Sequence, residues 1–244
     1  MRSFKRLSLG ILFSGALLFQ ASCSSAQITD ILKQVNSNPT TAEISMGLKE
    51  ALEKGTGISA ERLSLENGYL GNLDVKILFP EEAKNVENTL RSIGMGSMVD
   101  QVITSLNRAA EDAAIAAKPI FTDAIKQMSF QDVQKILLGE QNAATTYFKG
   151  STTSSLTQRF SPIIDTSLKK VDATRYWSDA MTQYNRIPLV KKVDTDLTAY
   201  VTQKAIDGLF LEIAKEELKI RENINARTSP LLKKVFGYAE SQKK

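Results

Sequence analysis

Histidine is absent from this chain of 244 residues, and cysteine occurs only once, at Cys23. Without histidine, the chain lacks the commonest general base, the commonest metal ligand and the side chain that titrates near neutral pH. A single cysteine excludes an internal disulfide and a cysteine-based zinc cluster. The composition therefore predicts a protein without a metal or a cofactor, and it argues against most catalytic chemistry.

What is present is ordinary for a globular chain, with 42% hydrophobic and 24% charged residues. This is too apolar for a disordered protein. No Gly/Ser-rich linker, internal repeat or low-complexity tract divides the sequence. We expect one domain over residues 27–244, large enough to bury a substantial core.

Residues 1–26 are predicted to be a signal peptide. Basic residues Arg2, Lys5 and Arg6 precede an apolar run from Leu7 to Phe19. That run is shorter than the about 20 apolar residues that a membrane-spanning helix needs. A short apolar core behind positive charge, followed by small residues, is typical of a secretory signal.

Two cleavage sites remain open. Cys23 follows Ala21 and Ser22, as in a bacterial lipoprotein signal, although Gln20 stands where an aliphatic residue is usual. In that case Cys23 becomes the lipidated first residue, which holds the protein at a membrane surface. Cleavage after Ala26 instead releases a soluble chain. Both predict export to the cell envelope, as an outer-membrane lipoprotein or a soluble periplasmic protein.

The net charge of +4 depends largely on the predicted signal peptide. Residues 1–26 contain three basic and no acidic residues, so their removal lowers the net charge to +1. Sequence-independent binding of nucleic acid depends on neutralising phosphates. A nearly neutral mature chain is therefore predicted not to bind nucleic acid.

Helical periodicity extends over nearly all of the remaining chain and predicts an all-α, multi-helix bundle. A capping box of Thr40 and Glu43 begins the first helix, which we expect to break near Gly55 and Gly57. Residues 75–79 read as an extended connector at most. A long helix over residues 142–171 is expected to be interrupted at Gly150 and Pro162.

The longest helix, starting after Asp194 or Thr195, is predicted to be central. Its apolar face is widened by Leu211 and Leu218. Its opposite face is expected to be polar and solvated, with Lys204, Glu212, Lys215, Glu216 and Lys219. A last helix is predicted to begin at Ser229 and Pro230 and to end at Gly237.

Several strings occur together along these helices: Asn107-Arg108-Ala109-Ala110-Glu111, Phe121-Thr122-Asp123-Ala124-Ile125, Ala143-Ala144-Thr145-Thr146-Tyr147-Phe148, Asp207-Gly208-Leu209-Phe210, and Ala226-Arg227-Thr228 leading to Lys234-Val235-Phe236-Gly237. In this order the chain resembles the bacterial envelope family called domain of unknown function 4197, from about Met46 to Gly237. The resemblance implies a secreted or lipid-anchored helical protein of Gram-negative bacteria. It implies no biochemical activity.

Three short motifs suggest chemistry that their context does not support. The GxGxxA pattern of Gly55–Ala60 follows a helical segment, whereas a dinucleotide site needs a preceding strand. The SxxK pattern of Ser167–Lys170 lacks the other elements of penicillin-binding enzymes. A calcium loop starting at Asp194 lacks its glycine and its terminal glutamate. We therefore predict no catalytic residue and no metal site.

Two groups of side chains are candidates for a ligand site or for buried polar contacts. Asn107 lies at the border of an apolar face and is expected to form a hydrogen bond between elements, with ligand contact as the alternative. Arg108, Glu111 and Asp112 have the spacing of a surface ion cluster. The second group is aromatic and is predicted to be core, or else to line a groove for an apolar or glycan ligand: Tyr176, Trp177 and Tyr184, with Arg175 and Arg186 at its mouth.

Two functions from different classes follow. The first is a non-catalytic binding or interaction module, held at a membrane surface by lipid on Cys23 and recognising an unknown protein or an apolar or glycan ligand. The alternative is an envelope hydrolase that uses carboxylates in place of histidine. Its first candidates are Glu111, Asp123, Asp165 and Asp207.

Overall fold

The computed structural model describes residues 38–186, 192 and 196–242, except for the side chains of residues 176, 179, 180, 183 and 184. Within this part all the regular elements are helices and there is no strand, which confirms the all-α prediction. Nine α-helices follow one another: α1 Thr41–Ser64, α2 Lys84–Ser92, α3 Gly96–Ala114, α4 Ala117–Gln127, α5 Phe130–Leu137, α6 Ala143–Lys169, α7 Ala173–Tyr184, α8 Leu197–Glu222 and α9 Pro230–Gln242.

The helices begin where capping residues predict. Thr40 and Glu43 form the expected capping box at α1, and Ser129 and Asp132 form another at α5. Before α8, the Asp196 side chain accepts a hydrogen bond from the Ala199 amide. The predicted caps Asp194 and Thr195 lie outside the described residues.

Three expected interruptions and one expected helix end are wrong. Helix α1 runs through Gly55 and Gly57 without a break, and α6 runs through Gly150 and Pro162. Helix α9 continues five residues beyond Gly237. Burial explains this, because each helix has buried apolar side chains on both sides of the expected break. Tertiary packing therefore overrides local propensity.

Helix α8 lies at the centre, packed against α1, α3, α6 and α7, as the sequence predicts. Its predicted polar face is wrong in part. Glu212 and Glu216 are only 2% and 5% exposed, whereas Leu211 and Leu218 are 41% and 36% exposed. Buried carboxylates need partners, and Arg62 of α1 donates to both glutamates, at 3.1 and 2.8 Å.

Helix α3 carries an alanine-rich segment in the core. Four of its alanines are completely buried: Ala109, Ala110, Ala113 and Ala114. Helix α3 packs mainly against α6 among the described helices. Small side chains allow helix backbones to approach each other closely.

A buried ion pair of α8 holds two other helix ends together. The Glu217 carboxylate accepts hydrogen bonds from the amides of Ala144 and Thr145, both at 2.9 Å, at the start of α6. Arg221 binds Glu217 at 2.9 Å and donates to the carbonyls of Ile136 and Leu137 at the end of α5. The carboxylate therefore lies at the positive N-terminal end of α6, and the guanidinium lies at the negative C-terminal end of α5.

Candidate functional site

Between α1 and the short 3-10 turn that precedes α2 lies a non-helical segment, residues 65–80, which we call the connector. It begins with turns around Asn67, whose φ is 67°, and Gly68. Residues 76–80 belong to no helix or strand within the described chain, and burial alternates from residue 75 to residue 79 as it does in an extended chain. This confirms the predicted extended connector.

Glu111 of α3 holds the first part of the connector. Its carboxylate accepts hydrogen bonds from the backbone amides of Tyr69 and Leu70, at 3.0 and 3.1 Å, and pairs with Arg108 at 2.5 Å. Glu111 is only 4% exposed, so the predicted surface ion cluster is wrong for this residue. Asp112, its neighbour in sequence, instead accepts a hydrogen bond from Ser167 of α6.

Asn107 holds the extended part of the connector. Its side-chain oxygen accepts the Ile77 amide at 2.8 Å, and its nitrogen donates to the Ile77 carbonyl at 2.8 Å and to Ile103 at 2.7 Å. Asn107 is completely buried. The side chain thus bonds the connector as a neighbouring strand would. This is the hydrogen bond between elements that the sequence predicts for Asn107.

Helix α8 binds the connector from the other side. The Tyr69 hydroxyl donates to the Ala205 carbonyl at 2.7 Å. Burial, with the charges of Glu212 and Glu111, raises the pKa of Tyr69 far above its usual value, so the phenol remains a donor. Gly208 makes this contact possible, because a Cβ there would lie 2.9 Å from the Tyr69 ring and 3.1 Å from Val75.

A polar network completes the attachment at the middle of the connector. Glu212 accepts hydrogen bonds from Asn72 at 3.2 Å and Lys215 at 2.7 Å, and Lys215 also binds Asp74 at 2.6 Å. Burial alone would raise the pKa of Glu212, but the hydrogen bonds from Lys215, Asn72 and Arg62 outweigh it and lower that pKa below its usual value. Glu212 is therefore ionised at neutral pH.

A groove of about 500 Å³ runs between the connector and α8. The connector wall consists of residues 74–82, and the α8 wall includes Tyr200, Lys204, Asp207 and Leu211. The Tyr200 hydroxyl donates to the Leu78 carbonyl at 2.9 Å and joins the two walls. Burial, together with the nearby carboxylates of Glu82 and Glu81, raises the pKa of Tyr200 to about 12. The groove thus combines apolar side chains with charges of both signs.

Of the aromatic group that was predicted to be core or to line a groove, only the side chain of Trp177 is described. Trp177 is 5% exposed and packs against Phe79, with the ring centroids 5.6 Å apart, as expected of a core residue. Because Phe79 lines the groove, Trp177 lies directly behind its wall. Arg175 and Arg186 are exposed, while the side chains of Tyr176 and Tyr184, and all of Cys23, lie outside the described part of the structure.

The four carboxylates of the hydrolase alternative lie in separate surroundings. Glu111 is occupied by backbone amides, as described above. Asp123 pairs with Lys126 within α4 and is 67% exposed, and Asp165 pairs with Lys169 within α6. Asp207 alone lines the groove, where it accepts a hydrogen bond from Gln203 at 3.0 Å. These contacts do not place two of the carboxylates together.

None of the described helices is both long and apolar enough to cross a bilayer. The acidic side chains of the described residues do not gather in a group of three that could hold a metal ion.

The model of the family described as "Protein of unknown function (DUF4197)" matches residues 38–237. The chain belongs to this family. The match confirms the resemblance given by the sequence strings, and it contains the connector, Asn107, Glu111 and the groove-lining part of α8. No curated protein and no solved structure matches the chain.

Sequence reasoning missed the residues that shape the groove. Tyr69, Lys76 and Tyr200 were not candidates, because single polar residues at turns and helix surfaces carry no periodic signal. Two features could have indicated them. Gly208 is a glycine inside a strongly apolar helix, which suggests a close approach by another segment. The apolar alternation of residues 75, 77 and 79 before Pro80 suggests a strand without a partner.

Proposed function

We propose that this chain is a non-catalytic binding protein whose ligand site is the groove between the connector and α8. The observation that carries the proposal is that a non-helical wall is fixed in place by buried side chains. Asn107 and Glu111 hold it from α3, and Tyr69 anchors it on α8. Ligand sites are usually formed in advance and combine apolar surface with a few placed polar groups.

The titratable groups of the groove support binding rather than catalysis. With its pKa raised to about 12, Tyr200 is protonated at neutral pH, and its hydroxyl is engaged with Leu78. A general base needs a pKa near the operating pH. Lys204 lies 5.9 Å from the Tyr200 ring centroid, and Asp207 is bonded to Gln203. These contacts suit side chains that orient a ligand.

We further propose that the protein acts in the cell envelope, anchored by lipid on Cys23. The support is the sequence of residues 1–26, in which basic residues, an apolar run and a sole cysteine follow one another. Cys23→Ser is expected to move the protein from the membrane to the soluble fraction, with loss of the acyl mass in intact-mass measurement. An unchanged distribution, or an unmodified mature chain starting at Gln27, would contradict the anchor.

The only tryptophan provides the assay for the groove. Trp177 packs behind Phe79, so occupation of the groove should shift its emission. Peptide mixtures, phospholipid vesicles and peptidoglycan fragments are titrated in turn, and we expect one class to shift the emission saturably. Leu211→Arg should then abolish the shift, because the exposed Leu211 lines the groove.

Leu218→Arg is the matched control, since Leu218 is a similarly exposed leucine of α8 that does not line the groove. It should bind as the wild type does. The proposal is wrong if no ligand class shifts the emission, or if Leu211→Arg and Leu218→Arg bind equally well.

A further inference from the structure

The backbone of the connector presents one edge to the groove. Side chains alternate there, with Val75, Ile77 and Phe79 buried and Leu78 exposed between them. In an extended chain, the N–H and C=O groups of successive residues point to opposite sides. Asn107 occupies both backbone groups of Ile77 on the α3 side. The corresponding groups of Lys76 and Leu78 therefore face the opposite side, towards α8.

The contact with Tyr200 supports this orientation. Its hydroxyl reaches the Leu78 carbonyl from α8, at 2.9 Å, across the groove. Within the described chain, the Lys76 carbonyl and the Leu78 amide have no hydrogen-bond partner, whereas the Lys76 amide is bonded to Asn72. One acceptor and one donor, two residues apart on one edge, match the spacing with which a neighbouring strand pairs.

The side chains around this edge indicate what could pair with it. Leu78 and Leu211 are 43% and 41% exposed on the two walls of the groove, where they offer apolar contacts to alternate side chains of an extended segment. At the Tyr200 end, Glu81 lines the groove, and its charge acts on the Tyr200 hydroxyl. A basic side chain would complement this end.

We propose that the groove binds an extended peptide segment of a partner protein, which adds as a strand to the backbone edge at Lys76 and Leu78. The segment would carry apolar side chains at alternate positions and a lysine or arginine at the end that lies against Glu81. This inference rests on the proposed function and specifies its ligand class. Strand addition gives affinity through backbone hydrogen bonds, and pockets for alternate side chains give specificity.

The probe is an array of heptapeptides with valine, leucine or isoleucine at alternate positions, made with lysine or arginine at one end and, in a matched set, with glutamate there. Binding is measured by Trp177 emission. We expect some basic peptides to bind with a Kd below about 1 mM, and their acidic counterparts to bind several-fold more weakly. The inference is wrong if no basic peptide binds.

Leu78→Pro tests the backbone contact itself. It removes the Leu78 amide, and Ile77 already has the extended conformation that precedes a proline. We expect peptide affinity to fall about tenfold, while Leu78→Ala, which keeps the amide, loses less. Two N-methylated forms of the peptide, one for each alternate set of amides, test the wild-type protein and so cover the case of a poorly folded variant; the form methylated on the side that faces the connector should fail to bind. Binding of both forms equal to that of the unmethylated peptide would overturn strand addition.

The two proposals fail in different ways. If the groove binds lipid or glycan and Leu211→Arg abolishes that binding, the proposed function stands and the peptide inference is wrong. If peptides bind but Leu211→Arg has no effect, the peptide site lies elsewhere and both are wrong.

Discussion

Asn107 allows the sharpest test of how the groove wall is held. The change Asn107→Ala removes the side-chain amide that bonds both backbone groups of Ile77. Ile77 is only 2% exposed, so its amide and carbonyl would remain buried without partners. The Ile103 carbonyl, which lies inside α3, loses less because it belongs to the helix.

The magnitude follows from the two orphaned groups. Each buried, unsatisfied backbone group costs about 1–3 kcal/mol, so we expect the free energy of unfolding to fall by about 2–6 kcal/mol. For a domain of this size, Tm should decrease by roughly 2–4 °C per kcal/mol. Urea unfolding followed by Trp177 emission measures the stability, and hydrogen exchange at the Ile77 amide measures the local effect.

Asn107→Asp adds a dependence on pH. The aspartate oxygen can still accept the Ile77 amide, but only a protonated carboxyl can donate to the Ile77 carbonyl. Burial should raise the pKa of this carboxyl in the folded state above its unfolded value of about 3.9. The variant is therefore closest to wild type below about pH 4, and it loses stability as pH rises through the folded-state pKa.

Asn88→Ala is the control, since Asn88 is an exposed residue in the interior of α2. Its effect should stay within about 0.5 kcal/mol. The reasoning is refuted if Asn107→Ala is as mild as this control, or if exchange at the Ile77 amide does not accelerate.

Three further changes test other contacts. Gly208→Ala should lower the free energy of unfolding by about 1–3 kcal/mol, because its Cβ would lie 2.9 Å from the Tyr69 ring. In Gly150→Ala the new Cβ meets open space, so this control should stabilise α6 by up to about 1 kcal/mol in thermal unfolding. Glu217→Ala should lower the free energy of unfolding in urea by about 3–5 kcal/mol, because it leaves a buried guanidinium and two amides without their partner. A loss under about 1 kcal/mol would contradict the capping role. The hydrogen bond from Lys234, with further bonds at Thr40, lowers the pKa of Glu43 to about 2. The difference in stability between wild type and Lys234→Gln should be full above pH 4.5 and shrink as pH falls towards 2 and below. A difference that does not shrink between pH 4.5 and 2 would exclude this pair as the cause.

The fold was predictable because its signals are periodic or local. Capping boxes at Thr40 and Ser129 lie within four residues, and the apolar face of α8 repeats over many turns. The breaks expected at Gly55, Gly150 and Pro162 were wrong for the opposite reason. Local propensity penalises these residues, but packing from distant segments decides whether the helix continues.

The site was less predictable because its contacts join residues far apart in sequence. Asn107 was recognised as a buried amide, yet its partner Ile77 lies 30 residues earlier. Glu111 was assigned to the surface from its spacing to Arg108, although its carboxylate binds backbone amides 41 and 42 residues away. Glu212 and Glu216 were predicted to be solvated for the same reason. The residue that compensates their charge, Arg62 of α1, is far from them in sequence.

The bridge formed by Glu217 and Arg221 has a consequence for the order of assembly. The corner between α5 and α6 receives its hydrogen bonds from residues 72 to 85 positions later in the chain. Contacts of such long range form late, because the intervening chain must first be closed into a loop. On a ribosome, where the N-terminal part emerges first, this corner stays incomplete until the C-terminal fifth of the protein has been synthesised.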